Sequence, residues 1–306
     1  MNGIKTILKK ELADHFSSYR FIILFALIAM VSLITAYMAG MNIKQSLEGV
    51  TKPRFVFLML FTTSGAMFSL SQFVALFGPL IGLILGFDSI NREKNEGTLS
   101  KLLSQPIYRD AVVNGKFLAG VIMIAIMMVA IVLVITGLGL STIGVVPGIE
   151  EIWRIFVYLL ISVIYISFWL GVAILFSIIF RSVATSALAA LAVWIFFSFF
   201  ISIGANIVAN SLVPDAESGH HDAMIQRIKI ERAISLTSPM ELYTDSTATI
   251  LDPMRRTTRS FVQMGMMEQL SIARFSGPLP LSQSILVVLP YIISLLAITV
   301  ICFAIS

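Results

Sequence analysis

The sequence predicts an all-α integral membrane protein with six transmembrane helices, from its composition, the length of its uncharged runs and the position of its charges. Of 306 residues, 58% are hydrophobic and 12% charged, whereas soluble domains carry about 25% charged residues. A water-soluble fold cannot hide that much apolar surface. Several uncharged runs are long enough, at about 1.5 Å per residue, to cross about 30 Å of hydrocarbon. They lack the polar–apolar alternation that barrel strands need. Cys302 is the single cysteine, which removes a disulfide framework and a Cys-based metal site. The net charge of +4 comes from basic residues in short loops, a pattern of membrane topology rather than of nucleic-acid binding.

The elements follow in chain order. Residues 1–20 place Ile4, Ile7, Leu8, Leu12 and Phe16 at helical spacing with Lys5, Lys9, Lys10, Glu11 and Asp14 between them, which predicts an amphipathic helix in the headgroup layer. The run 21–40 is long enough to span, and Tyr37 spoils a small-residue cleavage pattern, so it reads as a retained first span rather than a leader. Residues 55–87 form an uncharged stretch of 33, too long for one upright helix and too short for two with a turn. It is read as an interfacial segment followed by a second span at 65–88. Further spans are expected at 117–139, 155–179, 183–209 and 283–305. The connection 210–282 is expected to form short helices capping the bundle, at Met224–Leu236 and Ser260–Ala273, between turn signals at Ser238-Pro239 and Asp252-Pro253.

Lys and Arg set the orientation. The N-terminus, the segment after span two and the connection after span four hold ten of them, the opposite short loops only Lys44, Lys52, Arg54 and Arg154. Both termini are therefore expected in the cytoplasm of a multi-pass cell-membrane protein. The 210–282 region, with seven basic and eight acidic residues, falls outside.

The spans exclude several chemistries. Apart from Asp88 at the rim of the second, they hold no Asp, Glu, Lys, Arg or His, the groups on which ion-driven carriers rely. His15, His220 and His221 all lie outside the spans, and no HExxH pair occurs, so no catalytic residue and no metal site is assigned. A P-loop is missing as well: Gly115-Lys116-Phe117 lacks the upstream glycine and the hydroxyl of that motif, so nucleotide would have to be bound by a partner.

The segment after span two carries the positive signal. It reads Arg92-Glu93-Lys94-Asn95-Glu96-Gly97-Thr98-Leu99-Ser100-Lys101-Leu102-Leu103-Ser104-Gln105-Pro106-Ile107-Tyr108-Arg109. Gly97 lets the chain turn, Thr98 can cap a short helix, Leu99, Leu102 and Leu103 share a face, and Pro106 stops it. Such a helix suits either a groove in another protein or the lipid surface.

This run, E-x-x-x-E-G-T-L-x-x-L-L-x-x-P-I-x-R with Lys116 beyond it, closely resembles the hallmark of the ABC type 2 exporter permeases. It is most similar to the branch with the sodium-export, antibiotic-resistance and nitrous-oxide-reductase-maturation permeases. The amphipathic elbow, the six spans and Leu236-Thr237-Ser238-Pro239 followed by Tyr243 extend the resemblance over the chain. It implies a permease subunit of an ATP-driven exporter, with no ATPase site of its own. It also implies two cytosolic ATPase subunits that bind ATP and Mg, and a second permease copy, identical or related. By resemblance Arg92, Glu93, Glu96, Gly97, Thr98, Leu99, Leu102, Leu103, Pro106 and Arg109 form the coupling helix, and Arg181 lies near a second contact. An ion-coupled carrier and a non-transporting immunity or assembly protein are the alternatives from other classes.

Three further patterns have two readings each. Gly78, Gly82 and Gly86 repeat every four residues, as a dimer seam or as packing within one subunit, and Pro79 beside them predicts a kink. His220-His221-Asp222 with Met224, Met240, Met254, Met264, Met266 and Met267 reads as a soft-metal site or, more plainly, as apolar filler. Arg227, Lys229, Arg232, Arg255, Arg256 and Arg259 read as lipid-phosphate contacts or as a solvated face interleaved with acids.

Overall fold

A computed structural model describes residues 2–46, 55–63, 68–97, 109–213 and 221–252, with short helical pieces at 285, 288–289 and 292–293. The expected sixth span at 283–305, the expected helix at Ser260–Ala273 and the stretch Thr98–Tyr108 lie outside the described residues. Among those described, five helices are long and apolar enough to cross a membrane.

The chain begins with α1 (Asn2–Phe16) and turns at Ser17-Ser18 into α2 (Tyr19–Ser46). A buried turn at Phe55–Leu58 leads into the short α3 (Met59–Thr62). α4 (Leu70–Gly86) starts at a capping box, in which Ser69 Oγ accepts from the Gln72 amide and Gln72 Oε1 from the Ser69 amide, so two helix-end donors are satisfied reciprocally. α4 runs on through one turn into α5 (Asn91–Asn95). Then come α6 (Arg109–Ile143), α7 (Ile149–Ile179) and α8 (Val183–Ile195), the last continued by a π-helical turn at Phe196–Phe200 into α9 (Ile201–Leu212). α10 (His221–Ser235) and α11 (Pro239–Leu251) follow.

α7 is the central post. Its Tyr158, Tyr165, Ile166 and Trp169 are fully enclosed, and α4 packs along it through the glycine stripe. A Cβ on Gly82 would stand 2.6 Å from the Ile166 carbonyl oxygen and 2.8 Å from the Leu170 nitrogen; one on Gly86 would stand 2.7 Å from the Ala173 Cβ. The glycines thus let two backbones approach where any side chain would collide. Gly78, Gly82 and Gly86 are occupied by α7 of the same chain.

Pro79 sits inside α4 and has no amide hydrogen to offer the carbonyl four residues back, which is Ala75. Tyr165 supplies the substitute, its hydroxyl donating to the Ala75 oxygen at 2.7 Å. In an apolar bundle the freed carbonyl needs such a partner.

α10 and α11 depart from the expected cap. α10 lies along α9, the chain reverses at Leu236–Ser238, and α11 returns against α7 and α4. The Ser238 hydroxyl donates to the Phe197 carbonyl at 2.7 Å, Tyr243 Oη lies 2.8 Å from Ser162 Oγ, and the Tyr243 ring stacks on Tyr165 at 4.4 Å. Phe197 lies fifteen residues below Leu212, roughly 22 Å at helical rise. The pair is therefore a hairpin driven into the bundle. Its sequence allows that depth because the Ser246 and Thr247 hydroxyls donate to the carbonyls of Leu242 and Tyr243 on their own helix, so no polar group is buried at their positions without a bond. Likewise, the segment at 55–62 lies inside the bundle rather than along its surface: Phe57, Leu58, Leu60 and Phe61 are buried, and Phe61 meets Tyr158 edge-on.

Candidate functional site

The charged end of the bundle gathers α1, the start of α2, the end of α4, α5 and the start of α6. Ile7 of α1 approaches Gly115 closely enough that a Cβ there would stand 2.7 Å from its Cγ2. That contact carries Glu11, one turn further along α1, onto Lys116. Lys116 Nζ lies 2.8 Å from Glu11 Oε1 and 3.0 Å from Glu93 Oε1, and Lys10 Nζ lies 3.1 Å from Glu93 and 3.3 Å from Glu11. The side chain of Lys116 is 5% exposed, those of Glu11 and Glu93 10%. Two acids and two bases thus close into a neutral cluster, the arrangement that makes buried charge tolerable.

Protonation follows the same geometry. Burial pushes the Glu11 carboxyl up, but Lys116 and then Lys10 outweigh it and hold Glu11 below the ordinary carboxylate range. Burial pulls Lys10 down, yet its hydrogen bond to Glu93 and the charges of Glu11 and Glu93 leave it above the usual lysine value. His15, one turn beyond Glu11, is held below 6.5, chiefly by burial and against the pull of Glu11. The surroundings thus favour the charged forms of Glu11 and Lys10 and the neutral imidazole of His15.

The segment that opens with Arg92 is fastened at its root. The Ile90 and Asn91 amides donate to Ser177 Oγ at the end of α7, and the Asn91 side chain donates to the Ser182 carbonyl in the α7–α8 connection. The exposed Arg181 stands in that connection, so the structure brings it to the same end as residues 91–97. Glu93 turns inward to the lysines. Arg92 and Glu96 pair on the outside at 2.9 Å, and Gly97 adopts a φ of +69° with open space around its Cα, so glycine is required there for its backbone. Thr98, Leu99, Leu102, Leu103 and Pro106 lie outside the described residues, as does the Arg109 side chain.

Lys10, Glu11 and Lys116 are participants that sequence reasoning missed as a site. The available signal was a lysine at the head of an apolar run, which needs an acidic partner when buried. At the opposite end, Arg154 is fully buried, unlike a loop cation. It donates to the Ile250 carbonyl at 3.0 Å and to Glu150 at 2.9 Å, while Glu151 accepts from the Phe57 and Gly148 amides. Arg232 pairs with Asp245 across the hairpin. Among the described residues no group of three or more His, Cys, Asp and Glu is placed to hold a metal ion; His220, Met254, Met264, Met266 and Met267 lie outside them.

Comparison with known proteins assigns this helical bundle to a family. The family model described as ABC-2 family transporter protein matches residues 5–306. The chain belongs to that family. Among curated proteins, this ABC-2 chain is 31% identical over 125 residues to a probable ABC transporter permease protein NosY of Pseudomonas aeruginosa, and 27% identical over 125 residues to its namesake in Stutzerimonas stutzeri. Each match covers 41% of this chain and 41% of the relative. As a member of the ABC-2 transporter family, the chain is a multi-pass membrane protein.

Proposed function

We propose that the protein is the permease subunit of an ATP-binding-cassette exporter, with residues 91–109 as its contact to a separate cytosolic ATPase. One observation carries this reading. The motif-bearing segment is tied to the bundle by Glu93 on Lys116 and Lys10 and by Asn91 on Ser177 and Ser182, while Arg92 and Glu96 are left exposed. A segment rigid on its inner side and presented on its outer side can pass a push into α4, α6 and α7 together.

In this mechanism two ATPase subunits bind ATP and Mg and close. The push arrives through Glu96, Gly97, Thr98, Leu99, Leu102, Leu103, Pro106 and Arg109, with Arg181 beside them, and shifts the bundle between inward-open and outward-open populations. The substrate moves outward. The basic excess at this end supports its placement in the cytoplasm with both termini. A sixth span at 283–305 brings the C-terminus back to that side, and α10 and α11 then open toward the outside. A second permease copy completes the pathway on a face other than the glycine stripe, which α7 fills.

Affinity purification from native membranes in mild detergent tests this reading. Wild type is expected to bring down a P-loop ATPase, and a Glu96→Arg plus Leu103→Asp variant of equal yield to lose it. A folded wild type that retains no ATPase would refute the proposal.

A further inference from the structure

The elbow helix does not lie flush on the bundle. Between α1, the head of α2 and the ends of α4 and α7 lies a cavity of about 950 Å³, at the upper end of the roughly 300–1,000 Å³ of ligand sites. Its walls divide by chemistry. One side is apolar, from Phe21, Leu24, Ile84, Leu85 and Ile174, with the exposed Ile23 and Leu27 further along α2. The other is charged: Arg20 and Arg92 stand with Asp14, Asp88 and Glu96, and the buried Glu11, Glu93 and Lys116 line the same side with Lys10.

Both signs of charge thus stand at the mouth, two guanidiniums beside three carboxylates. A purely anionic ligand would find no net positive field there. A ligand carrying both signs is matched. The pairs at the mouth, Arg20–Asp88 and Arg92–Glu96, each have at least one well-exposed partner. Exposed pairs are worth only about 0–1 kcal/mol, so they can exchange partners with an incoming zwitterion at little cost. The cluster of Lys10, Glu11, Lys116 and Glu93 stays closed behind them. The level is that of the headgroup layer, marked by exposed Phe16 and Tyr19 on either side of the α1–α2 turn.

We infer that this cavity binds one zwitterionic phospholipid with a primary ammonium group, the phosphate held by Arg20, the ammonium by Asp14 and Asp88, and the acyl chains along Phe21, Leu24 and Ile84. A guanidinium supplies paired donors to phosphate oxygens, and a primary ammonium has three N–H donors for carboxylates, which a quaternary choline lacks. The assignment rests on the membrane reading of the bundle and not on an ATPase partner, so the two proposals fail separately.

The test is native mass spectrometry of the full chain, with whatever subunits accompany it. The protein is released from detergent supplemented with equal amounts of phosphatidylethanolamine, phosphatidylcholine and phosphatidylglycerol of matched chains. One phosphatidylethanolamine per chain is expected, in about fivefold or greater excess over the others, which corresponds to about 1 kcal/mol of selectivity. The excess should vanish in Arg20→Ala/Asp88→Ala and in Ser18→Trp, which narrows the mouth from the turn, and persist in Asn206→Ala/Asn210→Ala at the far end. Glycerophosphoethanolamine, the headgroup without chains, should not displace the lipid. Equal retention of the three lipids, a preference for phosphatidylglycerol, displacement by the chainless headgroup, or an excess indifferent to both mouth variants would overturn the assignment.

Discussion

Replacing Tyr165 with phenylalanine removes one oxygen atom from the centre of the bundle and leaves the ring, with its stack on Tyr243, in place. What is lost is the 2.7 Å hydrogen bond to the Ala75 carbonyl, the acceptor that Pro79 leaves without its usual helical donor. Interhelical hydrogen bonds in membranes contribute about 0.6–1.7 kcal/mol, and a buried acceptor left unsatisfied costs about 1–3 kcal/mol. The expected loss is therefore about 1–2 kcal/mol, or a fall of about 2–6 °C in the midpoint of thermal unfolding for a chain of this size. Intrinsic tryptophan fluorescence in detergent is a suitable readout, since Trp169 lies one helical turn from Tyr165. A double-mutant cycle separates this cause from general disturbance. In a Pro79→Ala background the backbone amide at position 79 is restored, and Tyr165→Phe should cost about 1 kcal/mol less than in wild type, beyond the 0.3–0.5 kcal/mol within which independent sites add. Equal cost in both backgrounds would refute the reasoning.

Three further outcomes are expected. Gly82→Ala would place a Cβ 2.6 Å from the Ile166 carbonyl and should destabilise the bundle by about 1–3 kcal/mol, the usual range of overpacking, read as a lower unfolding midpoint; an unchanged midpoint would mean that α4 and α7 do not approach as described. Arg154→Met removes the guanidinium that donates to the Ile250 carbonyl and should loosen the end of α11, seen as faster hydrogen exchange over 246–251 with little change at α1. The elbow should respond to pH in one direction near neutrality. His15 is held below its ordinary 6.5, so its contribution is present above 6.5 and is lost as the pH falls. Glu11 is held below 4.5, so its contribution persists to lower pH and is lost as the pH falls through its folded value. Lys10 is held above 10.5, so its contribution is lost only as the pH rises past that value. A fluorophore on α1 should therefore report stable docking from about pH 7 to pH 10 and release on acidification; release beginning between those limits would contradict the cluster.

The helical bundle was legible in the sequence because spans must be apolar over a fixed length. The runs that predict helices after residues 20, 116, 154 and 182 correspond to α2, α6, α7 and the α8–α9 rod, and Ser238-Pro239 and Asp252 mark the ends of α11. What was not legible depends on partners far apart in the chain. Pro79 announces a freed carbonyl, but nothing local says that Tyr165, ninety residues away, will meet it. Lys116 stands 105 residues from Glu11, and each reads alone as an ordinary charge at a membrane rim. Arg154 was counted as a loop cation because its helix is polar for its first turn, and only the packing of α11 against α7 encloses it. The depth of the α10–α11 hairpin was hidden for a related reason: residues 221–252 are too polar to look like a membrane segment, and their hydroxyls are satisfied only once the helices form.

The central claim is that residues 91–109 meet an ATPase. It is tested most directly by a photo-crosslinking amino acid in place of Glu96, activated in native membranes, with the same group at Asn210 on the opposite end as the control. The account expects an adduct with a P-loop ATPase at position 96, altered in yield by ATP, and none at position 210. Absence of that adduct from a folded, membrane-inserted protein, or equal ATPase adducts at both positions, would contradict it.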